Sequence, residues 1–419
     1  MRFLHTADIH LGYQQYNSAD RFDDFARAFL RVVDRAVQEK VDFFLLAGDL
    51  FEKRTVDPLA MRQAVAGLQQ LHDVGIPVIA VEGNHERAHY HDQYSWLEFL
   101  DGIGLITLLD PRIKDGKLYL DPYAPEGGGA FIDLPGGVRV YGLRYYGAST
   151  DKALALFQQA LSELPGPRPA YSILLTHAGL EGILPRFNGA VSRQALEPLR
   201  EHINYVGLGH IHKPYQVDDW IYNPGSLETW AIDEAEWADR GYYLVDVATH
   251  SPLAHEAQLI ASPRRPFVRL RVSVDGCDTP EAVYAAISAR LCELPAHFSE
   301  PPVADLSLEG SLAFDRMALD LGQIEGMVKG AIAPLLVRLH NNTLPIDVAV
   351  NPLRGATRSE LEAQVISELI GRDMRFRAHA DEWAEVAIAL KQKAALGASP
   401  AEILDYLRDA QARLAGMDK

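Results

Sequence analysis

Asp8 with His10, Asp49, Asn84 with His85, His177, and His210 with His212 are the residues of this chain whose types and spacing could hold metal ions. Each group closely follows a short apolar run: Phe3-Leu4, Phe43 to Leu46, Val78 to Val81, Ile173 to Leu175 and Val206 to Leu208. Runs of this length read as strands, so every group is expected at a strand's carboxyl end. A lone DxH would carry little weight, because a single histidine is usually structural. The ordered series DxH, GD, GNHE, H and GHxH is far more specific. In an extended segment residues i and i+2 face the same way. Asp8 with His10, and His210 with His212, are therefore each expected to present two side chains to one small volume.

Carboxylate, amide and imidazole donors suit Mn²⁺, Fe²⁺ or Zn²⁺, and the absence of thiolates argues against a structural zinc or iron–sulfur site. Seven ligands, Asp8, His10, Asp49, Asn84, His177, His210 and His212, exceed the needs of one ion and suit two if a carboxylate bridges. Asp49, at the end of VDFFLLAGDLFE, is the natural bridge. Two cations about 4 Å apart fit in-line attack on a phosphoester. His85, directly after Asn84, is then free to face the leaving group. An imidazole in that role needs an orienting carboxylate; Glu52 is the first candidate and Glu86 the second.

Strand and helix alternate from residue 1 to about 250, an α/β pattern. Phe22, Phe25, Phe29, Val32, Val33, Ala36 and Val37 recur at helical spacing, as does Met61 to Leu71. Trp96, Leu97, Phe99 and Leu100 form an apolar helix face suited to the core or to a dimer surface. Between Asp110 and Gly137 the Pro- and Gly-rich texture predicts a surface excursion. A boundary is expected at Ser262-Pro263, giving domains over 1–262, 263–352 and 353–419. The second reads as a smaller α+β unit and the third as helices alone. Ser399-Pro400-Ala401-Glu402 is a capping box opening the last helix.

The chain of 419 residues is 48% hydrophobic, enough for full cores. Cys277 and Cys292 cannot build a disulfide framework, no uncharged apolar run approaches a membrane span, and a cytoplasmic protein is expected. A formal charge of −17 rules out whole-surface attraction to nucleic acid. Any grip on DNA must come from cations and a local basic patch; Lys53-Arg54, Arg186 with Arg193, Lys213, and Arg264-Arg265 with Arg269 and Arg271 are candidates.

The stretches TADIHLGYQQYN, AGDLF, VEGNHE, THAGLEG, GLGHIHKP and NPGSLE together resemble the calcineurin-like metallophosphoesterase superfamily. Within it they look like the SbcD family of double-strand-break repair nucleases, and most like its archaeal Mre11 branch. The resemblance implies a metallophosphoesterase β-sandwich flanked by helices, then a capping domain, then helices that bind the coiled coil of an SMC-like ATPase of the SbcC/Rad50 type. It assigns Asp8, His10, Asp49 and His212 to one cation and Asp49, Asn84, His177 and His210 to the other. It also implies Mn²⁺ as the activating ion, a homodimer through helices of the nuclease domain, and exonuclease plus single-strand endonuclease action on DNA ends. Where Glu52 stands, similar archaeal members often carry a second active-site histidine, while bacterial members carry an acid. That supports the Glu52–His85 pairing.

Two other functions fit parts of the pattern. A phosphodiesterase or phosphatase for a small nucleotide would use the same core but would not need the segment after Pro263. A DNA-end or ATPase-binding scaffold would need the later helices and not the intact ligand set.

Overall fold

The computed structural model describes all residues except 88–93, 186–189, 238, 249–253, 296, 346–356, 372–375 and 416–419. Arg186, His89, His91 and His250, and the expected boundary at 352, lie outside the described residues. The chain divides into two compact units, Met1–Leu270 with Glu293–Leu306 and Glu325–Leu339, and Arg271–Cys292 with Ser307–Ile324 and His340–Lys419.

In the first unit two six-stranded sheets lie face to face. One has the order His255–Ala261, Gly241–Val247, Arg2–Thr6, Phe43–Leu46, Val78–Ala80 and Thr107–Leu108. The other runs Tyr215–Val217, Ile221–Asn223, Tyr205–Leu208, Tyr171–Thr176, Val138–Leu143 and Phe131–Leu134. The central strands are parallel in both, and parallel strands must be covered on both faces. Strand alternation supplies both coverings. Phe3, Phe43, Leu45, Ile173, Leu175 and Tyr205 point into the layer between the sheets. Leu4, Phe44 and Leu46 pack against the helices Ala19–Glu39 and Pro58–Asp73. Leu174, Val206 and Leu208 pack with Leu154 and Phe157 of the helix Thr150–Glu163.

Local chemistry sets the helix ends. Ser18 accepts from the Arg21 N–H to start Ala19–Glu39, and Lys40 ends it in the left-handed region at φ 51°. Asp57 accepts from the Leu59 N–H, with Pro58 at the first helical position. The excursion expected between Asp110 and Gly137 is exposed over residues 112–117 and 124–127 and includes a separate two-stranded hairpin, while its buried residues anchor it to the fold. Leu118, Leu120, Ala130 and Phe131 are buried in the second sheet's helix-side core, and Phe131–Leu134 is that sheet's edge strand. Its Pro and Gly residues mark exposed turns between short strands.

His5 lies wholly inside the inter-sheet layer, with Nδ1 2.9 Å from the Tyr205 hydroxyl and Nε2 3.1 Å from the Leu208 carbonyl oxygen. Burial pushes its pKa down to about 3. Because the folded value lies below the unfolded one, the unfolded chain binds the extra proton. This contribution to stability is complete above pH 6.5 and drains away towards pH 3, at roughly 1.4 kcal/mol per pH unit. His5→Gln should flatten that slope in denaturant midpoints measured from pH 7 to 4. Parallel profiles for the two proteins would contradict the assignment.

A buried ionic cluster braces the same unit. Asp24 accepts from Arg21 at 2.6 Å and from two nitrogens of Arg265 at 2.5 and 2.9 Å. Burial works against its charge, but the two guanidinium groups outweigh it and hold its carboxyl below the usual range. Asp24→Asn would leave two buried cations short of a counter-charge and should cost about 3–5 kcal/mol in chemical denaturation. A loss below about 1 kcal/mol would show that Glu228 and Glu300, which also approach these arginines, neutralise them alone.

The strands Phe267–Ser273, Val303–Leu312 and Leu336–Pro345 form a three-stranded sheet. In the second unit the helices Arg358–Gly371, Ala380–Ala395 and Pro400–Ala415 follow one another. Val386, Ala410 and Leu414 are buried together with Trp383, Leu390 and Tyr406 against them. The capping box forms as expected, with Ser399 N–H donating to Glu402 at 2.7 Å and Glu402 N–H donating to the Ser399 hydroxyl oxygen at 3.4 Å. Val365, Leu369, Leu404 and Leu407 stay exposed.

Candidate metal centre

The carboxyl ends of the parallel strands in both sheets open towards one site. Arg2–Thr6 leads to Asp8 and His10, Phe43–Leu46 to Asp49, and Val78–Ala80 to Asn84 and His85. From the facing sheet, Tyr171–Thr176 leads to His177 and Tyr205–Leu208 to His210 and His212. Asp8, His10 and His212 form one cluster with ligand atoms within 4.8 Å of one another, and Asp49, His177 and His210 form a second. Asn84 Oδ1 is 3.0 Å from His177 Nε2, which is 3.2 Å from Asp49 Oδ2. All seven expected ligand residues are thus brought together.

The route to that convergence differs from the expected extended segments. Asp8, His10, Asp49 and His210 all have positive φ, at 53°, 55°, 54° and 76°. Asp and His enter this region more readily than most residues, but each such position costs on the order of 1–3 kcal/mol. Main-chain and carboxylate bonds offset the strain. Ile9 and His10 N–H donate to the Asp49 carbonyl oxygen at 2.8 and 3.0 Å, and His210 N–H donates to both Asp8 oxygens at 3.0 Å. Side-by-side placement of Asp8 and His10 therefore comes from kinked turns past the strand end. Glycine is needed at two points. A Cβ on Gly83 would sit 2.0 Å from Asp49 Oδ1, and Gly48, at φ 82°, would place one 2.5 Å from His177 Nδ1.

Hydrogen bonds on the far ring nitrogens fix the tautomers. His177 Nδ1 donates to the Ala47 carbonyl oxygen at 2.7 Å, and His212 Nδ1 donates to Glu234 Oε1 at 2.6 Å. Both Nε2 atoms are thereby turned into the site. His10 Nε2 and His212 Nε2 stand 3.1 Å apart. Two imidazole nitrogens so close need a proton or a cation between them. The electrostatics agree with that need. Burial opposes charge on Asp49, yet His177, His10 and His85 hold its carboxyl far below the usual range. Burial opposes a proton on His177, but Asp49 lifts its pKa to about 9. At Asp8 burial wins and the pKa rises. A protonated His177 thus balances the ionised Asp49 where a divalent cation would take the proton's place. The donor set, its tautomers and its charge fit two such ions.

His85 falls outside both of these clusters and groups instead with His10 and Glu52. Its Nδ1 donates to the Glu52 main-chain carbonyl oxygen at 2.6 Å, leaving Nε2 4.0 Å from Asp49 Oδ2. The Glu52 carboxylate expected to orient His85 has its Oε2 4.0 Å from His85 Nδ1, and 2.9 Å from both His10 Nδ1 and Trp230 Nε1, which donates to it. Glu86, the second candidate, clamps the loops by accepting from Asp49, Phe51 and Gly83 N–H at 3.0, 3.0 and 3.1 Å. Burial and the neighbouring Asp49 push its pKa up to about 8.

Three residues went unread in the sequence. Glu234 orients His212, Arg240 holds Glu234 at 2.6 Å, and Trp230 donates its main-chain N–H to Glu234 at 2.9 Å. Burial opposes the Glu234 charge, but His212 and Arg240 bring its pKa down to about 2. The basic candidates divide. Arg265 is spent on Asp24, Arg193 pairs with Asp218, and Arg269 with Asp233. Lys53 and Arg54 have no ion-pair partner among the described residues and line a cavity with Glu52, Asn84 and His85.

Paired clusters of oxygen and imidazole donors, at the carboxyl ends of the parallel strands in two facing sheets, define a metal-dependent phosphoesterase. The chain belongs to the calcineurin-like phosphoesterase family, whose model matches residues 1–214. It is similar to archaeal proteins named DNA double-strand break repair protein Mre11. Identity is 31% over 246 residues with that of Archaeoglobus fulgidus, covering 56% of this chain and 52% of that protein. With that of Aeropyrum pernix it is 27% over 303 residues, covering 70% and 69%. With that of Saccharolobus solfataricus it is 30% over 275 residues, covering 63% and 65%. The match spans about half the length of the Archaeoglobus relative. No helix among the described residues is long and apolar enough to cross a membrane.

Proposed function

We propose that this chain is a two-metal DNA nuclease, cutting phosphodiester bonds at DNA ends as exonuclease and single-strand endonuclease in double-strand-break repair. The observation that carries the reading is the pair of donor clusters, Asp8–His10–His212 and Asp49–His177–His210, with His85 anchored beside them. Similarity to the archaeal Mre11 proteins supports DNA as the substrate. Asp8, His10, Asp49 and His212 would hold one cation and Asp49, Asn84, His177 and His210 the other, with Mn²⁺ as the ion. Divalent cations held there supply Lewis acidity, lowering the pKa of a water and neutralising charge on the phosphoryl oxygens.

The chain's own part is positioning and proton supply. His177 and His212 are fixed with Nε2 inward by Ala47 and Glu234. His85, anchored at Nδ1 by a carbonyl that can accept only a proton, keeps Nε2 for the leaving oxygen and donates a proton there. Lys53 and Arg54, beside His85, give an acidic chain local positive charge for the strand.

The remaining expectations join the proposal. A homodimer would form through the exposed Trp96, Phe99 and Ile103. An SMC-like ATPase of the SbcC/Rad50 type would dock on the exposed Val365, Leu369, Leu404 and Leu407. The 1–262, 263–352 and 353–419 division is the corresponding domain plan. A chromogenic phosphodiester and the matching monoester, each with Mn²⁺ and with chelator, test the reaction class. Mn²⁺-dependent turnover of the diester is expected. Turnover of the monoester alone would replace the nuclease with a small-nucleotide phosphatase, and no turnover of any ester or DNA would favour the scaffold.

A further inference from the structure

Five histidines crowd the site, and the far-nitrogen partners of His177, His85, His212 and His10 are of two kinds, carbonyl and carboxylate. His177 and His85 give theirs to carbonyls, and His212 to Glu234. His10 Nδ1 has Glu52 Oε2 at 2.9 Å, both side chains being buried. The contact is close without being a well-aligned hydrogen bond. Trp230 ties the pattern together, because its indole N–H donates to Glu52 and its main-chain N–H to Glu234, each at 2.9 Å. One residue thus holds both carboxylates that stand behind His10 and His212, whose Nε2 atoms share one cluster with Asp8.

We propose that Glu52 is a positioning residue for His10, setting the affinity of the cation site formed by Asp8, His10 and His212, and does not orient His85. The inference rests on the two-metal reading above. A carboxylate behind a ligating imidazole raises its basicity and fixes the ring, and its loss typically costs 10–100-fold in metal affinity. A carboxylate orienting a proton donor would leave metal affinity alone and act on the leaving group. His85 needs no such partner, since the Glu52 main chain already anchors it and survives any substitution of the side chain.

The experiment compares wild type, Glu52→Gln and Trp230→Phe by Mn²⁺ titration, using calorimetry and electron paramagnetic resonance. It adds kcat at saturating Mn²⁺ for aryl phosphodiesters of graded leaving-group pKa. Glu52→Gln should weaken one of the two Mn²⁺ steps by roughly 10–100-fold and leave the slope of log kcat against leaving-group pKa unchanged. Trp230→Phe, which frees the carboxylate without removing it, should weaken the same step by a smaller factor. Should Glu52→Gln fail to fold, Trp230→Phe decides alone, and unchanged Mn²⁺ binding in it overturns the proposal. Unchanged Mn²⁺ steps in Glu52→Gln with a steeper leaving-group slope overturn it too. A wild type that binds no pair of Mn²⁺ ions overturns the two-metal reading and this proposal together. Two ions bound with DNA untouched overturns the nuclease alone.

Discussion

Asp49→Asn is expected to abolish binding of both cations and to lower phosphodiesterase activity by on the order of 10⁴-fold, since several kcal/mol of transition-state charge stabilisation and the activated water go together. Asp49 stands between His177 Nε2, 3.2 Å away, and the Asp8–His10 turn, which its carbonyl oxygen anchors. Among the described residues it is the one carboxylate in the second cluster. Asparagine keeps the size and tolerates the φ of 54°, so the loop should survive and only the bridging charge is lost. Metal analysis after gel filtration and rates on a chromogenic diester check this. Retention of two ions, or activity within tenfold of wild type, would show that Asp49 is not the bridge.

His85→Ala should behave differently. It is expected to lower kcat by about 10²–10⁴-fold while both Mn²⁺ ions remain bound. The ring makes one anchoring bond, to the Glu52 carbonyl oxygen, and its side chain is partly exposed. Its main-chain N–H to Asp49 Oδ1, at 3.0 Å, is kept in the variant. The loss should be largest for diesters with poor leaving groups, where protonation matters most. Equal losses across leaving groups, or loss of a metal ion, would place His85 among the ligands instead.

The strands and the convergence of the seven candidate ligand residues were legible in the sequence because both rest on residue type. Apolar runs such as Phe43 to Leu46 name themselves, and Asp, Asn and His follow closely on their ends. The chain's backbone was not legible. That Asp8 and His10 converge through left-handed turns, and that Ala47 and Glu52 act through carbonyl oxygens, depends on groups every residue carries. Glu234 lies 22 residues beyond His212 in a short 3-10 turn with no motif of its own. Arg265 looked like surface charge because its sequence neighbours are basic; only the fold brings Asp24, 241 residues away, beside it. The segment from 110 to 137 shows the same limit, since Pro and Gly mark turns but not whether the short strands between them are buried.

The most direct test of the central claim is digestion of end-labelled linear duplex and single-stranded DNA by the purified chain with Mn²⁺, with chelator and with Asp49→Asn as controls. The account predicts Mn²⁺-dependent loss of nucleotides from the ends and cutting of the single strand, both absent in the controls. DNA left intact with and without an SbcC-type ATPase, while the chromogenic diester is turned over, would contradict it.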